Sequence, residues 1–309
     1  MMRKLLATAL ILALTFSFAA ITASAEDLTF VYSSATADNE YFAEVAEGAR
    51  AFCEENGVAF NYVGADYDAE MQYTQFENWI ASGVNAIICC PVDPTSIAEI
   101  TAKAQEAGLV VIGQAQAIEG ANGNSVVDDY AYGVALGDAA VQWINKYLAD
   151  EEAVEVVLLT LDHQEQVKLR GDGMEETIKT KCPNAKIVYR QKAESSEEGM
   201  KVVETALTSN PGIKVIACVN DQLAKGAWEA VQNAGLMADD MYIGGGDYTS
   251  DGKALVQDPD TAVRVSVAIG PYDSGYQCAQ MAYDILVNGK EGYDSYFTFT
   301  PMWQPGVMD

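Results

Sequence analysis

An α/β protein of two lobes, each a parallel sheet covered by helices on both faces, is what the 309-residue sequence predicts. Three observations predict it. Short apolar runs alternate with helix-length amphipathic segments along most of the chain, the pattern of parallel strands joined by crossover helices. The alternation occurs twice, on either side of Asn124–Gly133: runs at Thr29–Ser33, Phe60–Val63, Ala86–Cys90 and Leu109–Gly113 are answered by runs at Val154–Thr160, Lys186–Tyr189, Lys214–Val219 and Met241–Gly244. The copies also agree locally. Val92-Asp93 leads into a helix ending KAQEAGL (Lys103–Leu109), and Val219-Asn220-Asp221 into one ending AVQNAGL (Ala230–Leu236). Two such units joined at a short polar crossing imply two lobes with a hinge between them.

The chain opens with a basic Met1-Met2-Arg3-Lys4, a largely apolar Leu5–Ile21 and a small-residue Ala23-Ser24-Ala25. That layout predicts a secretory signal cleaved before Glu26, giving a periplasmic or secreted product. A membrane anchor is the competing reading; Thr15 and Ser17 interrupt the apolar part and count against it. No cysteine precedes Cys53, so no lipoprotein cysteine is expected, and no later run is long enough to span a bilayer. Stable membrane insertion is therefore not expected after cleavage.

Formal charge is −27. So negative a surface repels phosphate backbones and argues against a nucleic-acid partner. Cys89, Cys90 and Cys218 fall in apolar strand runs, Cys53 and Cys278 on helices, and Cys182 beside Pro183, in a loop. Buried thiols are expected rather than any disulfide that spacing identifies, and a single His163 with no CxxC pair predicts no metal site.

In order, the first unit reads strand at Leu28–Ser33, helix over Tyr41–Asn56, strand near Phe60–Val63, helix through Met71–Ala81, strand Ala86–Cys90, helix Ser96–Ala107 and strand Leu109–Gly113. Gly57, Gly83 and Gly108 are the stops. A helix over Tyr130–Leu148 opens the second unit, which repeats the alternation to Gly244-Gly245-Gly246-Asp247. Then come a strand at Ala262–Ala268, a helix over Asp273–Val287, a short strand at Tyr296–Thr300 and an irregular tail. If Asp273–Val287 returns to the first lobe, the chain crosses three times. The crossing residues are then Val127 and Asp128, Ile269 and Gly270, and Thr298 and Phe299. The division expected is a signal at 1–25, a first lobe of 26–127 plus 270–297, and a second of 128–269 plus 298–309.

In open parallel sheets, ligands bind outside the carboxyl ends of the strands. Those positions are Asp38, Asn39, Tyr41, Phe42, Cys90, Asp93, Gln114 and Gln116 in the first unit, and Asp162, His163, Gln164, Arg170, Glu194, Asn220, Asp221 and Asp247 in the second. Amides, carboxylates, one guanidinium and two adjacent aromatics suit a small polyhydroxylated ligand, with rings against C–H faces and forked donors on neighbouring oxygens. Plainer roles compete: Phe42 fits the core stripe of its helix, Asp93 and Asp221 read as helix caps, Arg170 as an ion-pair partner, and His163 as a bystander. No GxSxG elbow, phosphate loop or dinucleotide fingerprint is present. The expectation is binding, with no catalytic residue and no cofactor.

The stretches SSATADNEYF, ICCPVDP, VVDDYAYG, KLRGDGM, ACVNDQLAKGAWEAVQNAG and IGGGDYTSDG, spread over the whole chain after residue 25, resemble the type I periplasmic solute-binding proteins of sugar ABC importers, in the ribose-binding branch. The resemblance implies two Rossmann-like lobes with a three-crossing hinge, closure around a monosaccharide, sugar derivative or polyol, and delivery to an ABC transporter permease by a monomer. It places sugar contacts on Asn39, Tyr41, Phe42, Arg170, Asn220 and Asp247. At four further places the chain departs from the family's pattern. Cys90 stands where an asparagine is usual, Gln114-Ala115 where Asp-Arg is usual, and Ile269 where a glutamine is usual. The aromatic expected around Glu194-Ser195 is absent. A ligand other than ribose is the expectation these changes carry. A ligand-presenting accessory to a chemoreceptor or sensor kinase is the alternative role. A LacI-type regulatory core shares the fold, but the acidic chain and its leader disfavour it.

Overall fold

The computed structural model describes residues 28–162 and 164–308. The leader segment and His163 lie outside the described residues. The first unit runs β1 (Thr29–Ser34), α1 (Glu40–Glu55), β2 (Ala59–Gly64), α2 (Ala69–Ser82), β3 (Ala86–Cys89), α3 (Pro94–Glu106), β4 (Val110–Ala115) and β5 (Gly123–Val126). The second runs α4 (Asp129–Tyr147), β6 (Val154–Thr160), α5 (Glu165–Lys181), β7 (Ala185–Lys192), α6 (Ser196–Ser209), β8 (Val215–Cys218), α7 (Asp221–Ala234), β9 (Tyr242–Asp247), α8 (Ser250–Gln257) and β10 (Val263–Ala268). The chain ends with α9 (Pro271–Asn288), β11 (Asp294–Tyr296) and β12 (Thr300–Trp303).

Two separate six-stranded sheets form, in the orders β11-β5-β4-β3-β1-β2 and β12-β10-β9-β8-β6-β7. Leaving the last strand of each aside, the orders are the same, which is the internal repeat made physical. Strands β1, β3, β6 and β8 are buried almost throughout, as apolar runs with helices on both faces must be. Every pairing is parallel except that of β10 with β12.

Helix α1 shows how the local sequence builds these elements. Asn39 caps it, its side chain accepting from the Tyr41 amide at 2.9 Å, and Val45, Ala46, Ala49, Phe52 and Cys53 form one buried stripe. Gly57, at φ 69°, takes the chain out of it.

After the second unit, α9 packs on α1 of the first. A β-carbon on Gly48 would lie 1.9 Å from the Tyr272 carbonyl oxygen, and one on Gly275 would lie 1.8 Å from that of Val45. The two backbones touch because both contact points lack side chains. From there β11 pairs with β5 in the first sheet and β12 with β10 in the second.

Two expectations need correction here. A single strand was expected over Tyr296–Thr300; instead 294–296 and 300–303 are two strands in two sheets, with 297–299 passing between them. The apolar-polar pattern is continuous across the junction, so periodicity could not divide it. The stretch from Asn124 was expected to be connection alone, yet Gly123–Val126 adds a strand to the first sheet before the chain leaves it. Cys182 lies just past the end of α5, outside any helix or strand, and is buried, as are the other five cysteines, all with free thiols.

Candidate functional site

The strand order places loops after β1 and β3 on opposite faces of the first sheet, and loops after β6 and β8 on opposite faces of the second. The two sets of loops face each other. Between them lies a small cavity of about 60 Å³, lined by residues of both units. Asn39, Tyr41 and Phe42 reach it from the start of α1, Tyr67 from the turn after β2, Cys90 from the end of β3, and Ala115 and Gln116 from the end of β4. Leu161 and Gln164 come from the loop after β6, Val167 and Arg170 from α5, Asn220 from the end of β8, and Asp247 from the end of β9. Val127 and Asp129 flank the first crossing.

Arg170 organises the polar side. It is 8 % exposed, and its Nε and Nη2 both donate to one Asp129 carboxylate oxygen, at 2.9 and 2.8 Å. Nη1 donates to the Val219 carbonyl at 3.1 Å and stands 3.8 Å from Asp247 Oδ1. The guanidinium lies 4.5 Å from the centre of the Tyr132 ring. α4 can present Asp129 and Tyr132 this closely because Gly133 meets the α5 backbone at Arg170, where a β-carbon would fall 2.0 Å from the Arg170 carbonyl oxygen. Burial opposes the Arg170 charge, but Asp129 and Asp247 outweigh it and raise its pKa.

The Tyr132 hydroxyl donates to the Val267 carbonyl at 2.8 Å and also lies 3.2 Å from Asp247 Oδ1, while the ring stacks on Phe299 with centres 4.9 Å apart. Burial pushes Asp247 up to about 6, against the opposing pull of Arg170. Burial likewise raises Asp129, with Arg170 again opposing it. Burial also pushes the Cys90 thiol up to about 12, so it faces the cavity as a neutral, weakly polar group.

Nine residues expected at the site are brought together in this one cavity: Asn39, Tyr41, Phe42, Cys90, Gln116, Gln164, Arg170, Asn220 and Asp247. Gln114 and Ile269 are not. Gln114 is fully buried on the helix-covered face of β4, donating to the Tyr41 hydroxyl at 2.9 Å and the Ser274 hydroxyl at 3.1 Å and accepting from Tyr32 at 3.1 Å. It holds Tyr41 from behind, and Ala115 stands at the wall in its place. Ile269 packs with the core and borders a different groove, formed by Ala268, Gly270 and the 295–300 segment. Side chains alternate along the strands, so a residue at a strand's end can miss the cavity by one position.

The simpler roles are also visible. Asn39 and Asn220 cap α1 and α7 while lining the cavity, and Asp93 caps α3. Asp221 is not a cap: its carboxylate accepts from the Thr249 amide at 2.9 Å, beneath α8. Sequence reading passed over Asp129, Tyr132 and Tyr67. For Asp129 a signal existed, because an arginine turned into the cleft needs a carboxylate, and Asp128-Asp129 was the acidic pair at the crossing. Among the described residues no group of three or more His, Cys, Asp or Glu side chains is placed to hold a metal ion.

The sequence description of the periplasmic binding protein domain matches residues 30–291. The ribose import binding protein RbsB of Bacillus subtilis is 26% identical over 268 residues, covering 86% of this chain and 84% of that protein. Two solved structures are similar in fold. One is an ABC transporter periplasmic solute binding protein from Actinobacillus succinogenes with bound D-allose (TM-score 0.78, 22% identity, 90% of this chain and 98% of that one). The other is an ABC transporter solute binding protein from Bacillus halodurans with bound myo-inositol (TM-score 0.77, 21% identity, 91% and 96%).

Proposed function

The chain belongs to the periplasmic binding protein domain family, and from that premise we propose that it captures a monosaccharide, sugar derivative or polyol between its lobes by hinge closure and delivers it to an ABC permease. The observation that carries this is the cavity at the facing strand ends, where Arg170, Asp129 and Asp247 stand on one side and Tyr41 and Phe42 on the other. Arginine and carboxylates satisfy hydroxyls by forked, charge-assisted hydrogen bonds, and the rings cover C–H faces. Every charged residue of the lining comes from the second lobe; the first contributes amides, aromatics, Cys90 and Ala115. The ligand's most strongly held hydroxyls therefore point to the second lobe.

The residues proposed to contact it are Asn39, Tyr41, Phe42, Cys90, Arg170, Asn220 and Asp247, with Asp129 as counter-ion. The proposed lobes are 26–127 plus 270–297 and 128–269 plus 298–309, bending at Val127 and Asp128, Ile269 and Gly270, and Thr298 and Phe299. The sheet membership of β11 and β12 supports that division. The ligand is bound without being altered, which the binding-protein character of the relatives supports. Import is favoured over presentation to a sensor because the similar Bacillus subtilis protein is an import binding protein. A leader that exports the chain completes the reading.

Calorimetric titration with ribose, allose, inositol, xylitol, nucleosides and small acids tests it. One sugar or polyol is expected to bind in the micromolar range or tighter and to be recovered unchanged. Tight binding confined to a nucleoside or an acid, or turnover of any compound, contradicts it. Sub-micromolar ribose binding contradicts the narrower point that Ala115 at the wall implies a ligand other than ribose.

A further inference from the structure

Tyr67 enters the cavity from the turn after β2, the strand at the edge of the first sheet. The turn is pinned at three points. The Ala65 amide donates to the Ser34 carbonyl at 3.1 Å, the Tyr67 amide to that of Ala35 at 2.7 Å, and the Asp68 amide closes the turn on Ala65 at 2.7 Å. Both central residues are left-handed, Asp66 at φ 48° and Tyr67 at φ 58°. Glycine and asparagine adopt this conformation readily; a bulky aromatic residue does so only under constraint.

Among the described residues, the non-glycine positions with positive φ are Asp66, Tyr67, Ala115, Asp247 and Tyr248. Tyr67, Ala115 and Asp247 line the one cavity. Backbone strain gathered at one place points to a use for the side chains held there.

Position says what that use is. Tyr67 lines the ligand cavity and also a neighbouring recess bordered by Thr36, the exposed Asp38, Glu194, Ser195 and Gln222. It is shared by the two. Its hydroxyl bonds to the side chain of Gln164, across the cleft in the second lobe, and burial pushes its pKa up to about 12, so it stays a neutral phenol at physiological pH. The second lobe has Glu194 and Ser195, not a ring, along this edge.

We infer that Tyr67 is the cover of the site and a determinant of which ligand it takes. Its ring closes over an apolar C–H face of a cyclic sugar or cyclitol, and its hydroxyl, bonded to Gln164, holds the cover shut across the lobes. Ligand entry then requires the Tyr67–Gln164 bond to open, and a ring that shields one face favours cyclic ligands over open-chain polyols. This inference rests on the proposed function.

The test titrates the full chain with D-allose, D-ribose, myo-inositol and xylitol, the tightest-binding cyclic compound serving as probe. Tyr67→Asn keeps a residue that tolerates the left-handed turn and removes the ring. Tyr67→Phe keeps the ring and removes the hydroxyl. Expected are a loss of about tenfold or more in probe affinity for Tyr67→Asn, with the empty protein's melting temperature retained and a smaller loss for xylitol. For Tyr67→Phe, probe release accelerates about threefold. Affinity for Tyr67→Asn within about twofold of native overturns the inference, as does a matching fall in the melting temperature of the empty variant. Asp247→Asn separates the two levels of the argument. Lost binding in that variant beside intact binding in Tyr67→Asn sinks the cover alone. Intact binding in both, or a native chain that binds none of the four, sinks the proposed site with it.

Discussion

Asp247 and Arg170 are both buried and both polar, yet removing them has different consequences. Asp247 is raised to about 6 by burial, so in the empty protein its ionisation works against the fold. A carboxyl raised in the folded state contributes stability that is complete below its unfolded value, near 3.8, and is lost as pH rises through 6. The melting temperature of Asp247→Asn relative to native should therefore climb between about pH 4 and pH 7. Binding runs the other way, because ligand hydroxyls donate to the ionised form. Native affinity should fall about tenfold from pH 7 to pH 5, and Asp247→Asn should be weaker throughout and flat over that range. A native profile that is flat as well would remove Asp247 from the site. Arg170→Ala instead leaves Asp129 and Asp247 buried without their cation, so it should lose about 3 kcal/mol or more of stability in addition to its affinity, measured by denaturant unfolding. From the sequence alone Arg170 reads as ligand group or ion-pair partner; its burial against Asp129 shows the ion pair, and the ligand role belongs to the proposed function. Gln114 misleads for the opposite reason: the order of residues marks a strand's end, but not which of two consecutive side chains turns into the cleft.

The amino-terminal turns of α1 and α8 meet across the cleft. Glu44 accepts from the Ser250 amide at 2.6 Å, Glu40 from the Asp251 amide at 3.3 Å, and Asn39 donates to Gln222 at 3.2 Å. Two carboxylates of the first lobe thus sit on the positive end of a second-lobe helix, each such contact being worth about 0.3–1 kcal/mol. Replacing both in Glu40→Gln/Glu44→Gln should weaken ligand affinity roughly three- to tenfold through faster release, because the closed form loses support without loss of any ligand contact. Stopped-flow release rates check this; an unchanged rate would assign the contacts to surface decoration. Such cross-lobe pairs leave no trace in periodicity. What periodicity did carry was the order of strands and helices and most helix limits, since those depend on local stripes such as that of α1. It could not divide 294–303 between two sheets, nor recognise β5, because pairing partners rather than local pattern decide both.

At the scale of the whole molecule, the repeated sheet order puts two sets of strand ends face to face, and three strand or loop crossings tether them. The first crossing ends at Asp128, which caps α4 by accepting from the Ala131 amide at 2.9 Å; Asp129 and Tyr132 follow on that helix, and Asp129 pairs with Arg170 of α5. The third carries Phe299 against Tyr132. The first and third crossings therefore touch Asp129 and Tyr132, the neighbours of Arg170 and Asp247 in the cavity wall, and under the proposed function ligand occupancy and lobe angle are coupled through them. The two-lobed architecture was legible in the sequence because the repeat is written in strand-length runs. The return of α9 to α1 was not, since it depends on Gly48 meeting the α9 backbone at Tyr272 and Gly275 meeting the α1 backbone at Val45, more than two hundred residues apart. Small-angle scattering of the chain, with and without a saturating amount of its tightest-binding sugar or polyol, tests the central claim most directly. The radius of gyration should fall on binding and return when the compound is dialysed away unaltered. Superimposable profiles in the two states, with binding confirmed by calorimetry, would contradict closure around the ligand.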